Sequence, residues 1–335
     1  MSSRTLQDVV SFIHSSYTYH PLSLTSLNLT TRLDNAVNER DYIFFKPEVQ
    51  TLLKKLTGLD INKVFRRRAL GETPQPPEYK FMTTAQIQKE MEKTLKKAEK
   101  KLQMPPVVPI SEDKPKVITK DPALAGYDPD DAKYIFTDIN FPANDRARLI
   151  VVREPDGTLR EANKDERHRM NQLYFPVKGR SLYHPRMFQP ENLKPVLERR
   201  DYEFILDRAC IQFEPDSIEY HNTVSVTYDH IDETRSYEVL RSTRHFGPFV
   251  LHLVKKREID NLLEENFRSD RLEDAASLIQ LYHIVHPDCK SASTKYTPGR
   301  EIEFIQAYID NDSNKKSFLQ AALDSVEDIQ KVDSG

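Results

Sequence analysis

Glycine is scarce in this chain, at 8 of 335 residues, whereas globular proteins average about 7%. Phosphate-binding loops need clustered glycines, because the backbone must approach the ligand closely. Here the glycines stand far apart, at Gly58, Gly71, Gly126, Gly157, Gly179, Gly247, Gly299 and Gly335. Neither a GxGxxG fingerprint nor a P-loop is present, so the nucleotide-binding enzymes of those two classes are excluded.

Cysteine is also rare, since only Cys210 and Cys289 occur. Two cysteines cannot form a disulfide framework, which favours a reducing compartment. Long apolar runs are missing as well, because no stretch approaches the roughly 20 apolar residues that a membrane helix needs. We therefore expect no membrane partner.

Catalytic motifs are missing too. No GxSxG occurs, and neither cysteine lies in a recognisable nucleophile motif. Adjacent carboxylates such as Asp130 and Asp131 do not converge on one point of a helix or strand. The sequence thus predicts that the protein is not an enzyme, with no catalytic residue, no cofactor and no small-molecule substrate.

One group of residues has the spacing of metal ligands, namely His283, His286 and Cys289. A structural zinc site needs four ligands, usually as two close pairs. The remaining cysteine, Cys210, has no nearby partner of ligand type. A helix end whose histidines face its last carbonyls explains the spacing more simply, so we predict no metal site.

Charge is distributed unevenly along the chain, although the net charge is only −3. Residues 46–103 contain 14 Lys and Arg against 7 Asp and Glu, whereas residues 201–335 contain 15 against 26. A basic arm joined to an acidic body can contact a phosphate backbone with one end and protein with the other. The alternative is that both segments are solvated surfaces.

The basic segment contains the candidate contacts to RNA phosphates. Guanidinium groups suit phosphate, and three arginines follow one another directly at Arg66, Arg67 and Arg68. A second set of point charges lies on the next predicted helix, at Lys96, Lys97, Lys100 and Lys101. The alternative for the arginines is a solvated turn.

The periodicity predicts a mainly α fold with a small antiparallel β meander (α+β), a helical N-terminal arm and a helical C-terminal body. Apolar residues recur at helical spacing in both halves of the chain. The runs KYIFTDI and RLIVVRE are β-branched, and EPDGT between two of the strands is a tight-turn signal. Helices are predicted at 47–56, 83–102, 164–174, 190–212, 232–245, 248–256, 270–285, 301–309 and 315–329. The stretch FEPDSIEYHNTVSVTYDHID is ambiguous, and helix is preferred there.

Composition divides the chain into five segments. The first is rich in Ser and Thr and poor in acids, which is a weak transit-peptide signal because few arginines accompany it. The predicted segments are 1–43, a variable N-terminal segment; 44–103, the basic helical arm; 104–132, a linker rich in Pro and Asp; 133–160, the β meander; and 161–330, the acidic helical domain.

Eight blocks of the sequence resemble, in order, the family of mitochondrial small-subunit ribosomal proteins numbered twenty-two. They are EVQTLLKKLTGLDINKVF, YKFMTTAQIQKEM, KYIFTDI, IVVREPDGTLR, RMNQLYFP, FEPDSIEY, VLRSTRHFG and LIQLYHIVHPD. The block IVVREPDGTLR is specific by itself, and the resemblance extends from about residue 45 to about residue 288.

This resemblance implies a structural constituent of the small subunit of the mitochondrial ribosome, located in the matrix. The partners it implies are small-subunit ribosomal RNA and neighbouring mitochondrial ribosomal proteins. It implies no catalytic residues. The rival hypothesis is a helical adaptor that binds proteins and no RNA, because an acidic C-terminal half would fit that equally well.

Overall fold

Thirteen α-helices and one four-stranded sheet occur in the part of the chain that the computed structural model describes, which is residues 43–66, 79–126, 132–140, 145 and 148–333. These residues belong to one compact unit, residues 40–335. The elements are α1 (Pro47–Thr57), α2 (Ile61–Val64), α3 (Thr84–Lys101), β1 (Val117–Lys120), β2 (Tyr134–Thr137), β3 (Ile150–Arg153), β4 (Thr158–Glu161), α4 (Lys164–Tyr174), α5 (Pro190–Glu198), α6 (Tyr202–Gln212), α7 (Ile218–Glu233), α8 (Tyr237–Leu240), α9 (Phe246–Lys256), α10 (Asp260–Arg268), α11 (Leu272–Val285), α12 (Glu301–Asn311) and α13 (Lys316–Asp333). The predicted fold class is confirmed.

Local sequence signals explain where several helices begin. Thr83 and Gln86 form a capping box at the start of α3, in which each side chain bonds to the backbone of the other residue. Asn163 and Glu166 do the same at the start of α4. Such boxes satisfy N–H groups that have no partner inside the helix. The predicted starts near residues 83 and 164 are therefore correct.

The ambiguous stretch after residue 213 is helical. The Ser217 side chain accepts a hydrogen bond from the backbone N–H of Tyr220, and α7 continues to Glu233. The predicted helix at 232–245 is wrong, because Arg235 and Ser242 both adopt positive φ angles, of 50° and 59°. Residues in that conformation do not continue a right-handed helix, so only the short α8 forms between them.

The sheet has the strand order β1-β4-β3-β2 and is antiparallel throughout. Its first strand comes from the segment that was predicted to be a linker, so the meander has an additional edge strand. One face of the sheet buries Ile150 and Val152 against Met170 of α4. This contact supplies the packing that a small sheet needs for stability in water.

The main core lies in the C-terminal half of the chain and includes α1 from the N-terminal half. Most side chains of helix α9 are buried. Helix α1 packs against both α9 and α11. Gly247 of α9 leaves room for the side chain of Met104, because a Cβ at that position would collide with the Met104 sulfur. The residues that follow α3 are thereby attached to the core.

Arg241 is a buried charged residue that joins several elements of this core. Its guanidinium donates to the Asp274 carboxylate over 2.9 Å and to the Asn266 side-chain oxygen over 2.9 Å. The next residue, Ser242, donates its backbone N–H to the carbonyl of Thr57 over 2.9 Å. The block VLRSTRHFG therefore joins α1, α10 and α11.

Candidate RNA and protein interface

Arg66, the first of the three candidate arginines, is bound within the protein. The Asp60 side chain caps α2, and Arg66 follows that helix and donates to the Glu203 carboxylate. Glu203 is 9% exposed at its side chain and Arg66 is 44% exposed. An RNA phosphate would have to compete with this carboxylate. Arg67 and Arg68 lie outside the described residues.

The four candidate lysines lie at the C-terminal end of α3, and all four are exposed. Lys101 turns toward the protein, with its ammonium 3.5 Å from the Val64 carbonyl oxygen and 4.9 Å from the centre of the Phe65 ring. The ammonium groups of Lys96, Lys97 and Lys100 make no hydrogen bond or ion pair within the described part of the chain. The structure thus separates three solvent-directed lysines from a fourth that contacts α2 and the residue after it.

Helix geometry extends the lysine set toward the start of α3. At 3.6 residues per turn, Lys89 and Lys93 fall in the same sector of about 100° as the three solvent-directed lysines. We refer to these five residues, Lys89, Lys93, Lys96, Lys97 and Lys100, as the lysine face. Lys93 also pairs with Glu90 over 2.9 Å. The helical spacing alone could have identified Lys89 and Lys93.

Helix α3 is fixed to the body at only one end. Residues 79–93 are all exposed, whereas Ala98 is 1% exposed. After the helix, Met104 and Val107 pack against the main core. The lysine face therefore lies on a helix whose first turns have no cover from the described protein.

The three residues with metal-like spacing are used for other contacts. The His283 ring nitrogen Nε2 lies 2.7 Å from the Ser291 hydroxyl, and His286 Nε2 lies 2.8 Å from the Val254 carbonyl oxygen. Cys289 is buried and contacts Ser291. Across the residues that the structure describes, no three His, Cys, Asp or Glu side chains are placed to hold a metal ion.

A cavity of about 570 Å³ lies beside α4 and the start of α7. Two of its basic side chains, Lys164 and Arg180, are bound by the protein itself. The Lys164 ammonium donates to the carbonyl oxygens of Ser111 and Asp216 over 3.0 and 3.1 Å, and Arg180 donates to the Glu214 carboxylate over 2.9 Å. These groups hold segments of the fold together, so the cavity does not offer them to a substrate.

The geometry defines a class of protein, namely a helical scaffold with a charged surface and a basic helix attached at one end. No helix in its described portion is both long enough and apolar enough to cross a membrane. The chain belongs to the family of Mitochondrial 28S ribosomal protein S22, which matches residues 42–287.

Two curated relatives are similar over most of their length. The small ribosomal subunit protein mS22 of Bos taurus is 40% identical over 290 residues, which cover 85% of this chain and 79% of the relative. The protein of the same name from Mus musculus is 40% identical over 289 residues, with the same coverage of both chains. The predicted family, its non-enzymatic class and its location in the mitochondrial matrix are confirmed.

Proposed function

We propose that this chain is a structural constituent of the small subunit of the mitochondrial ribosome and that the lysine face of α3 contacts ribosomal RNA. The observation that supports the RNA contact is the clustering of five exposed ammonium groups along one side of a single helix. From Lys89 to Lys100 the helix rises about 17 Å, which is long enough to meet several phosphates of one strand.

The physical basis of this contact is electrostatic. Lysines that neutralise phosphates release condensed counterions, and this release makes binding strongly dependent on salt. Lysine offers a point charge without the fixed geometry of arginine, so the lysine face fits a backbone contact with no sequence readout. Contacts from Arg67 and Arg68 remain a prediction, and Arg66 contributes less because Glu203 already binds it.

The test is the salt dependence of binding to small-subunit ribosomal RNA, measured with the full chain. Changing Lys96, Lys97 and Lys100 to Ala should flatten the slope of log affinity against log salt by roughly 0.7 to 0.9 for each lost contact, or about two to three in all. The substitutions remove little buried surface, so the fold should survive.

A matched control removes the same charge elsewhere. Lys178, Lys290 and Lys295 are exposed and lie outside α3, and changing these three to Ala should leave the slope almost unchanged. Equal slopes for wild type and the α3 variant would contradict the RNA contact. Equal flattening in both variants would point to net charge alone.

The rival hypothesis, a helical adaptor that does not bind RNA, is not favoured, because the chain belongs to a ribosomal protein family. The two hypotheses predict different results when RNA binding of these variants is measured. An adaptor would keep its affinity for protein neighbours in all of these variants, and neither wild type nor any variant would bind the RNA.

A further inference from the structure

Helix α3 has an apolar stripe on the side opposite the lysine face. Ile87, Met91 and Leu95 follow one another at intervals of four residues and are 48%, 60% and 40% exposed. Two further apolar side chains, Tyr79 and Phe81, are exposed just before the helix. Apolar side chains aligned in this way on an uncovered helix are typical of an interaction site.

Acidic residues lie near both borders of the stripe. On a helical projection Glu92 and Glu99 fall beside one edge of the stripe, and Glu90 falls near the other. The lysines lie farther round the helix, apart from Lys101 near the anchored end, which turns toward α2. The helix therefore has carboxylates beside its apolar stripe and ammonium groups on the opposite side.

We propose that the apolar stripe of α3 binds an amphipathic helix of a neighbouring ribosomal protein, and that this partner helix has Lys or Arg beside its own apolar row. The inference deepens the proposed function, on which it rests for the ribosomal setting. Rows of side chains four residues apart pack into the grooves of a second helix. Charged residues that flank such a seam select a partner of opposite charge.

The charges distinguish this partner from RNA. Glu90, Glu92 and Glu99 would repel phosphates at the borders of the stripe, and an apolar row would gain nothing from a phosphate backbone. The lysine face has no apolar row, and of its five lysines only Lys93 is paired with a carboxylate in the described part of the chain, that of Glu90. Helix α3 is then an intermediate layer, with RNA on one side and a basic protein helix on the other.

Site-specific photocrosslinking in the assembled small subunit tests this arrangement. A benzophenone amino acid replaces Met91 on the stripe in one full-length variant, and Lys96 on the lysine face in a second, matched variant of the same helix. Sedimentation with the small subunit is checked for both before irradiation. The Met91 adduct should be a peptide from another ribosomal protein, with apolar residues at helical spacing and Lys or Arg beside them. The Lys96 adduct should be RNA.

Charge reversal then tests the predicted chemistry of the partner. In the Met91 variant, Glu92→Lys together with Glu99→Lys should reduce the protein adduct roughly fivefold, because the reversal turns two attractions into repulsions. Glu303→Lys, at an exposed position of α12, should leave the adduct unchanged. An adduct that is insensitive to the double reversal would overturn the choice of a basic partner.

The outcomes separate this inference from the proposed function. A Met91 adduct with RNA, with another part of the same chain or with no partner in an assembled subunit would overturn the inference. A Lys96 adduct with protein, beside the expected Met91 adduct, would instead overturn the RNA contact and leave the protein-binding stripe in place.

Discussion

Arg241 shows how a single charged residue can organise a helical core. Burial lowers the pKa of its guanidinium, and the carboxylates of Glu238 and Asp274 oppose that shift. These carboxylates offset part of the cost of burying the charge. The contacts of Arg241 could not be predicted from the sequence, because Asn266 and Asp274 lie on two other helices that come later in the chain.

Removal of this residue should be costly. Arg241→Ala leaves the Asp274 carboxylate without its buried partner and should lower the free energy of unfolding by about 3–5 kcal/mol. Urea unfolding followed by circular dichroism measures the change. The control is Arg300→Ala, whose exposed pair with Glu303 should contribute less than about 1 kcal/mol. Equal effects would show that Arg241 does not organise the core.

A second pair, the partly exposed Asp207 and the buried His245, should make stability dependent on pH. Their side chains are 2.8 Å apart. Burial alone would raise the pKa of Asp207, but His245 and Arg244 outweigh it and lower the pKa to about 2. Burial also lowers the pKa of His245 below its usual 6.5, against the opposing effect of Asp207.

Both shifts have the same consequence. A group whose pKa is lower in the folded state stabilises the fold above its unfolded pKa, and that contribution falls as the pH falls through the folded pKa. The urea midpoint should therefore decrease below about pH 6.5, where His245 becomes protonated in the unfolded chain. It should decrease again between about pH 4 and pH 2, where Asp207 becomes protonated. In His245→Gln the first decrease should shrink. A midpoint that rises on acidification would contradict this interpretation.

At the scale of the element, turns and helix caps are the features that the local sequence specifies most directly. The capping boxes at Thr83 and Asn163 and the EPDGT turn each depend on residues within three or four positions of one another, so the sequence alone specifies them. Helix α10 was missed because it is only nine residues long and its N-cap residue, Ile259, provides no side-chain cap. Strand β1 was missed because its pairing with β4 joins distant segments.

Gly157, in the turn between β3 and β4, offers a test at this scale. Its φ angle is +80°, and a Cβ there would collide with the backbone carbonyl oxygen of Asp121. Gly157→Ala should therefore destabilise the protein by about 1–3 kcal/mol, from both strain and collision. Gly126→Ala is the matched control, since Gly126 has a φ angle of +67° and open space around it. Equal losses in thermal or urea unfolding would show that the collision has no effect.

The candidate interface was only partly predictable, and the reason is physical. Helical spacing in the sequence indicated a basic helix. The same spacing places Lys89 and Lys93 on its lysine face. The pairing of Arg66 with Glu203 could not be inferred, because the two residues are 137 positions apart. Runs of like charge predict a surface but do not show which members the protein itself neutralises.

At the scale of the whole molecule, two regions differ in charge and in packing. The acidic C-terminal half forms most of the core, and the basic helix α3 is attached to it at one end. Family membership places such a scaffold among ribosomal proteins. An acidic body suits contacts with basic protein neighbours, whereas the lysine face suits RNA.

The most direct test of the central claim, that the chain is a stable constituent of the small ribosomal subunit, is sedimentation of mitochondrial extracts at physiological salt. The full-length chain is followed across a sucrose gradient by immunodetection, beside small-subunit ribosomal RNA. We expect the chain to migrate with the small subunit and to be nearly absent from the low-mass fractions. A chain that stays wholly at the top of the gradient, while the RNA migrates normally, would contradict the account.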